Sequence, residues 1–146
     1  DLLLALIEET VRRHAIEVQP LIEETDGAVA KLELLLTTSF GGRHNVDPAS
    51  RGMVLFHWHL AESRTDEFLA TLEPQIALIA QIIEAGIAEG SFRSDLPPEV
   101  QASMVMHTLL SLLDMRVLGI EFAGAAITDE QLVEWCLTAV GARTPS

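Results

Sequence analysis

Apolar residues recur along this chain at spacings of three and four, the period of a helix face rather than the alternation of a strand. The first stripe, Leu4, Val11, Ala15 and Val18, leaves Glu8, Glu9, Arg12 and Arg13 on the other side and predicts a helix over residues 1–18. Pro20 is expected to interrupt it, because proline lacks an amide hydrogen and crowds the preceding turn. Val29, Leu32, Leu35 and Leu36 predict a second helix that begins near Asp26-Gly27 and stops at Phe40-Gly41-Gly42. Residues 41–46 read as a loop. Asp47-Pro48 then supplies a capping oxygen and a proline at the first helical position, and the third helix is expected to reach about Ala61. Its Met53, Val54, Leu55, Phe56, Trp58 and Leu60 lie nearly all round the cylinder, which predicts burial on most sides.

The fourth helix is expected from a Thr65 cap to about Glu89, with Phe68, Leu72, Ile76, Ile79, Ile83 and Ile87 on one face. Pro74 should kink it or split off its first turn, and Gly90 ends it. Pro97-Pro98 opens a fifth helix, the most apolar, expected to extend to about Glu121. Gly124 and its neighbours read as a turn. Thr128-Asp129-Glu130-Gln131 has the spacing of a capping box, in which side chain and backbone at positions three apart bond reciprocally. The last helix carries Leu132, Val133, Cys136, Leu137 and Val140 on one face, and Gly141 closes it. Six helices with short connections predict an all-α bundle, a single domain over residues 1–146.

Composition adds a demand. Hydrophobic residues make up 49% of the chain and charged residues 21%, and the mean hydropathy is +0.29. So much apolar surface calls for a subunit interface, an apolar pocket, or both. The formal net charge of −13 excludes phosphate-backbone or anionic-membrane binding by these residues themselves. Cys136 is the single cysteine, so no internal disulfide forms, which is compatible with a cytoplasmic setting. No run of 18 uncharged apolar residues is present, and the opening residues lack the features of a signal peptide. Because the chain opens inside a helix with no cap before it, a preceding segment is expected to be missing.

The run 82–100 contains Gly86, Gly90, Phe92, Arg93, Asp95 and Pro98. This Gly-x-x-x-Gly-x-Phe-Arg stretch, with an acidic residue and a proline after it, resembles the junction between the seventh and eighth helices of TetR-family transcriptional regulators. The opening Asp1-Leu2-Leu3-Leu4 resembles the start of that family's fourth helix. The resemblance covers the whole chain as helices four to nine. It implies a homodimer formed through the last two helices, a pocket for a small effector among the middle helices, and a first helix whose shift repositions DNA-reading domains. The three DNA-binding helices of the family are absent, so DNA is expected to be a partner only through a missing N-terminal domain. In most members the ligand relieves repression.

Ser103, His107, Ser111 and Asp114 fall within an arc of roughly 80° on the fifth helix. They form either a hydrogen-bonding pocket wall, a dimer seam where Asp114 could meet Arg116, or a solvated face. His57 and His59 point about 200° apart on a helix and cannot easily share a metal. A third ligand would have to come from His44 or Glu62, so no metal or other cofactor is expected. His57 is either a pocket residue or a partly buried structural histidine. Met53, Phe56, Leu60, Phe68, Leu72, Ile79 and Met104 are candidates for an apolar effector lining, and equally for plain core. Gln131, Trp135, Thr138 and Ala139 are the candidate dimer contacts, with Trp135 under a neighbouring loop as the alternative. No nucleophile elbow, phosphate loop, dinucleotide fingerprint or Glu-x-x-His pair occurs, so an enzyme is not expected. An acidic helical adaptor that binds another polypeptide accounts for the charge and the apolar excess as well as a ligand-binding domain does. It leaves the glycine-rich junction unexplained.

Overall fold

The computed structural model describes residues 2–40, 48–124 and 126–142. Six α-helices make up nearly all of it: α1 (Leu2–Glu23), α2 (Ala28–Phe40), α3 (Pro48–Ser63), α4 (Thr65–Ala88), α5 (Pro98–Leu118) and α6 (Asp129–Ala139). One 3₁₀ turn, Phe122–Gly124, lies between α5 and α6, and no strand occurs among the described residues. The expected all-α architecture is the observed one. The loop expected at 41–46 and the cap expected at Asp47 lie outside the described residues.

Helix α4 sits at the centre and packs against α1, α2, α3 and α5, while α6 packs on α2. Ile79 and Ile83 of α4 are fully buried together with Leu32 and Leu36 of α2. Leu109 of α5 and Cys136 of α6 complete the same core. By length and composition α4 is also the one described helix that could cross a membrane. It carries Glu73, Gln75, Gln81 and Glu84, and a bundle's central helix is apolar on several sides because it has neighbours there.

Four boundaries differ from expectation for identifiable reasons. Helix α1 runs through Pro20 to Glu23. Val18 and Ile22 on either side are buried, and that burial offsets the hydrogen bond that proline removes. Helix α4 likewise runs unbroken through Pro74. Thr65 is not its cap: the N-cap is Arg64, and the Thr65 hydroxyl donates back to the Ala61 carbonyl at 2.9 Å. Helix α5 ends at Leu118 because Gly119 turns left-handed (φ 73°), three residues before the expected end. Helix α3 also departs from expectation. Val54 and Leu60 are buried, but Leu55 and Trp58 are about half exposed, so α3 lies at the periphery. Its apolar circumference does not have neighbours on every side.

The glycine-rich run proves to be a structural clasp. Ser91 and Phe92 both donate their amides to the Gly86 carbonyl, at 2.8 and 3.1 Å, and Gly90 donates to Ile87. This is a Schellman ending, with Gly90 at φ 78°. It folds the buried Phe92 ring directly over Gly86, where a Cβ would sit 2.1 Å from the ring. Arg93 then donates its amide to Val140 at 2.9 Å and its guanidinium to Ala139, which ties the junction to the end of α6. Asp95 accepts hydrogen bonds from that guanidinium, and these, with the charge they carry, hold its carboxyl below the ordinary carboxylate range. Gln101, buried at the start of α5, donates to the carbonyls of Arg93 and Leu96.

Candidate functional site: a helix-walled cavity and an open outer face

Five helices wall a partly open cavity of about 200 Å³. Its floor is apolar: Val18 of α1, Leu35 of α2, Leu72 of α4, and Met106, Leu109 and Leu113 of α5 are all buried. Nearer the surface it is lined by Thr10, Val11, His14 and Ala15 of α1, Thr38 and Ser39 of α2, and His57 of α3. Pro74, Gln75, Leu78 and Leu110 complete the wall.

The polar groups of this wall are already partly engaged. Thr10 donates its hydroxyl to Leu6 at 2.8 Å, and Ser39 donates to Leu35 at 2.7 Å. Thr38 shares its hydroxyl hydrogen between Leu34 and Leu35 at 2.9 and 3.0 Å. Gln75 donates through Nε2 to the Ser39 hydroxyl at 3.3 Å. The threonine and serine bonds to carbonyls are the back-bonding that these residues make inside helices, while the Gln75 bond crosses from α4 to α2. No Asp, Glu, Lys or Arg lines the cavity. His57 also packs its ring edge-on against Phe68, with centroids 6.2 Å apart.

Of the expected effector lining, the structure brings only His57 and Leu72 to this cavity. Leu60 and Ile79 are fully buried in the packing between helices, and Phe68 packs against the core. Met53 and Phe56 are half-buried on α3 and do not reach the cavity. Met104, His107 and Ser111 are exposed. Helical phase explains this: at 100° per residue they lie about 180° from Met106, Leu109 and Leu113. The polar stripe is therefore on the outside of α5. His107 Nδ1 bonds the Ser103 carbonyl at 2.7 Å within that stripe. Asp114 accepts from the Trp58 indole at 2.7 Å, which fastens α3 to α5. Arg116, expected as a partner for Asp114, instead pairs with Asp129 at 2.8 Å and joins α5 to the start of α6.

The candidate dimer residues do converge. Gln131, Trp135, Thr138 and Ala139 line one open groove of about 710 Å³ with Thr108 and Leu112 of α5. Trp135 is 71% exposed and Met104 beside this face is 59% exposed. The Gln131 side chain also accepts the Thr128 amide at 3.0 Å, while the Thr128 hydroxyl accepts the Gln131 amide, so the expected capping box is formed. His59 is exposed and accepts a bond from Ser63 at its carbonyl, and His44 lies outside the described residues. Among the described residues no three His, Cys, Asp or Glu side chains gather at one point. Cys136 is buried in the core, and burial pushes its thiol up to about 11.

Sequence reasoning missed most of the cavity wall. Val11, Ala15 and Val18 were in view as an apolar stripe of α1, but nothing distinguished a stripe that faces a void from one that faces packed atoms. A usable signal was present at the end of α2, where Thr37-Thr38-Ser39 breaks the apolar run Leu34-Leu35-Leu36. No family model matches this sequence, and comparison with curated proteins and with solved structures finds no match.

Proposed function

We propose that this chain is the effector-binding and dimerisation domain of a TetR-type transcriptional regulator, acting as a ligand-relieved repressor in the cytoplasm. The observation that carries the reading is the cavity walled by α1, α2, α3, α4 and α5. It is apolar at its floor, polar near its mouth, and has α1 as one side. A molecule that binds there contacts α1 directly. The effector would bind one position of α1 better than the other and so shift the population between them. DNA-reading helices joined to α1 would follow that shift.

The outer face of α5 and α6 supports the dimeric part of the reading. Two copies that each carry a net charge of −13 repel one another, so their contact needs a face poor in charge. Helix α5 has no charged residue from Val100 to Leu113. Its Asp114 is turned to Trp58 and its Arg116 to Asp129. Trp135 supplies the large exposed aromatic that such contacts favour.

The test is the polypeptide made from the native gene, read by intact mass and N-terminal sequencing. The proposal expects a product about 5 kDa heavier than this chain, opening with a basic helix-turn-helix. It expects sequence-specific DNA binding by that product. A native product that lacks such a segment, or one that binds no DNA, contradicts it.

A further inference from the structure

We infer that the cavity selects a small neutral molecule with an apolar body and one hydrogen-bond donor, of the class of alkylphenols and short alcohols. This rests on the proposed reading of the cavity as a ligand site and narrows it by chemistry.

Size sets the first limit. A dry cavity of roughly 150 Å³ accepts benzene, so one of about 200 Å³ holds about eight to ten non-hydrogen atoms. Charge sets the second. The lining holds no lysine, arginine, aspartate or glutamate, and an ion moved from water to such a place loses its hydration without a fixed partner.

Hydrogen bonding sets the third. Thr10, Thr38 and Ser39 have one hydroxyl hydrogen each, and all three hydrogens are directed at carbonyls of their own helices. What they still offer is oxygen lone pairs. Gln75 directs one Nε2 hydrogen at Ser39 and keeps its second amide hydrogen, while its Oε1 is likewise an acceptor. The polar side of the cavity is thus rich in acceptors. A ligand that brings an O–H or N–H completes a bond there. A hydrocarbon leaves the acceptors without a partner, and a site built for a hydroxyl rejects the analogue that lacks it.

The test is calorimetry at pH 8 with three probes, 4-ethylphenol, ethylbenzene and 4-methylbenzoate, on the full chain and on two variants. Thr38→Val removes one acceptor, and Ala15→Leu fills part of the cavity. The inference expects 4-ethylphenol to bind at least tenfold more tightly than ethylbenzene, with no detectable binding of 4-methylbenzoate. It expects Thr38→Val to narrow the phenol's advantage and Ala15→Leu to abolish binding of both neutral probes. Equal binding of phenol and hydrocarbon, an advantage untouched by Thr38→Val, or tighter binding of the benzoate overturns the inference and leaves the ligand-site reading standing. Failure of both neutral probes on the unaltered chain, or binding that survives Ala15→Leu, overturns the ligand-site reading as well. Should Ala15→Leu not fold, contacts between bound 4-ethylphenol and the methyl groups of Leu35, Met106 and Leu109, read by NMR on the unaltered chain, take its place. Their absence overturns both.

Discussion

At the α4–α5 junction, a glycine carbonyl accepts two amides, a buried phenylalanine covers that glycine, and a buried glutamine holds two further carbonyls. On the outer face of α5 and α6, Trp135 is 71% exposed and Met104 59% exposed, with Val100 beside them at 43%. One region has matched most of its groups to one another within the chain, with the buried Gln101 Oε1 the exception. The other leaves a largely uncharged surface uncovered by its own chain, with Glu134 the one charged residue that lines its groove. The contrast separates two reasons for a distinctive sequence. The glycine-rich run that carries the family resemblance is distinctive because it must close a turn under a ring. The outer face carries no motif at all, because apolar and small polar residues at helical spacing look the same whether they meet a core or a partner.

The largest expected effect breaks the closed region. In Gly86→Val the added carbons meet the Phe92 ring, which has no room to move within the core. Urea denaturation should show a loss of about 3 kcal/mol. Gln101→Ala removes the donor that serves the carbonyls of Arg93 and Leu96. Its cost is about 2 kcal/mol by the same measurement, because partly buried carbonyls are left short of a partner. Asp114→Ala sharpens the boundary between the two regions. It releases the Trp58 indole, and a loss of about 1 kcal/mol is expected in stability, with no change in self-association. Weaker self-association would place Asp114 in the open face after all.

The smallest effect concerns Cys136. Its thiol ionises near 11 when folded, against an ordinary 9.0. The folded state therefore holds a proton that the unfolded state releases between those values. Stability from this group is complete below pH 9 and declines as pH rises toward 11. A Cys136→Ala variant, which cannot titrate, should show a shallower decline over that window in pH-dependent melting.

The helices and their order were legible because apolar periodicity, prolines and caps are local signals. The Thr128–Gln131 capping box was read correctly for that reason. Pro20 misled because the rule that proline ends a helix is local, while the burial of Ile22 that overrides it is tertiary. Trp58 was taken for an interior residue, yet its indole reaches across to Asp114 near the surface. The cavity was the least legible feature. His57 and Leu72 were anticipated, but Thr10, His14, Ser39 and Gln75 come from three helices whose relative rotation no local pattern encodes. For Met104, His107 and Ser111 the alternatives of cavity wall, core, dimer seam and solvated face stay open in the sequence because α5 is apolar on both faces, and the structure leaves all three outside the cavity. That helix stands between the cavity and the open groove, and its stripe of Ser103, His107, Ser111 and Asp114 is polar enough for a ligand, a partner or solvent alike.

The most direct measurement is sedimentation equilibrium of the chain, unaltered and as Trp135→Arg, near neutral pH and moderate salt. The account predicts a unit of twice the 15.9 kDa of one chain for the unaltered protein. It predicts self-association weakened to at most one-thirtieth of the original affinity, a cost of about 2 kcal/mol, when the exposed indole is replaced by a charge. The fold of Trp135→Arg should stay intact, because that side chain is 71% exposed on its own subunit. A monomer of 15.9 kDa at every concentration, or a dimer indifferent to Trp135→Arg, contradicts the claim that the outer face of α5 and α6 is where a second copy binds.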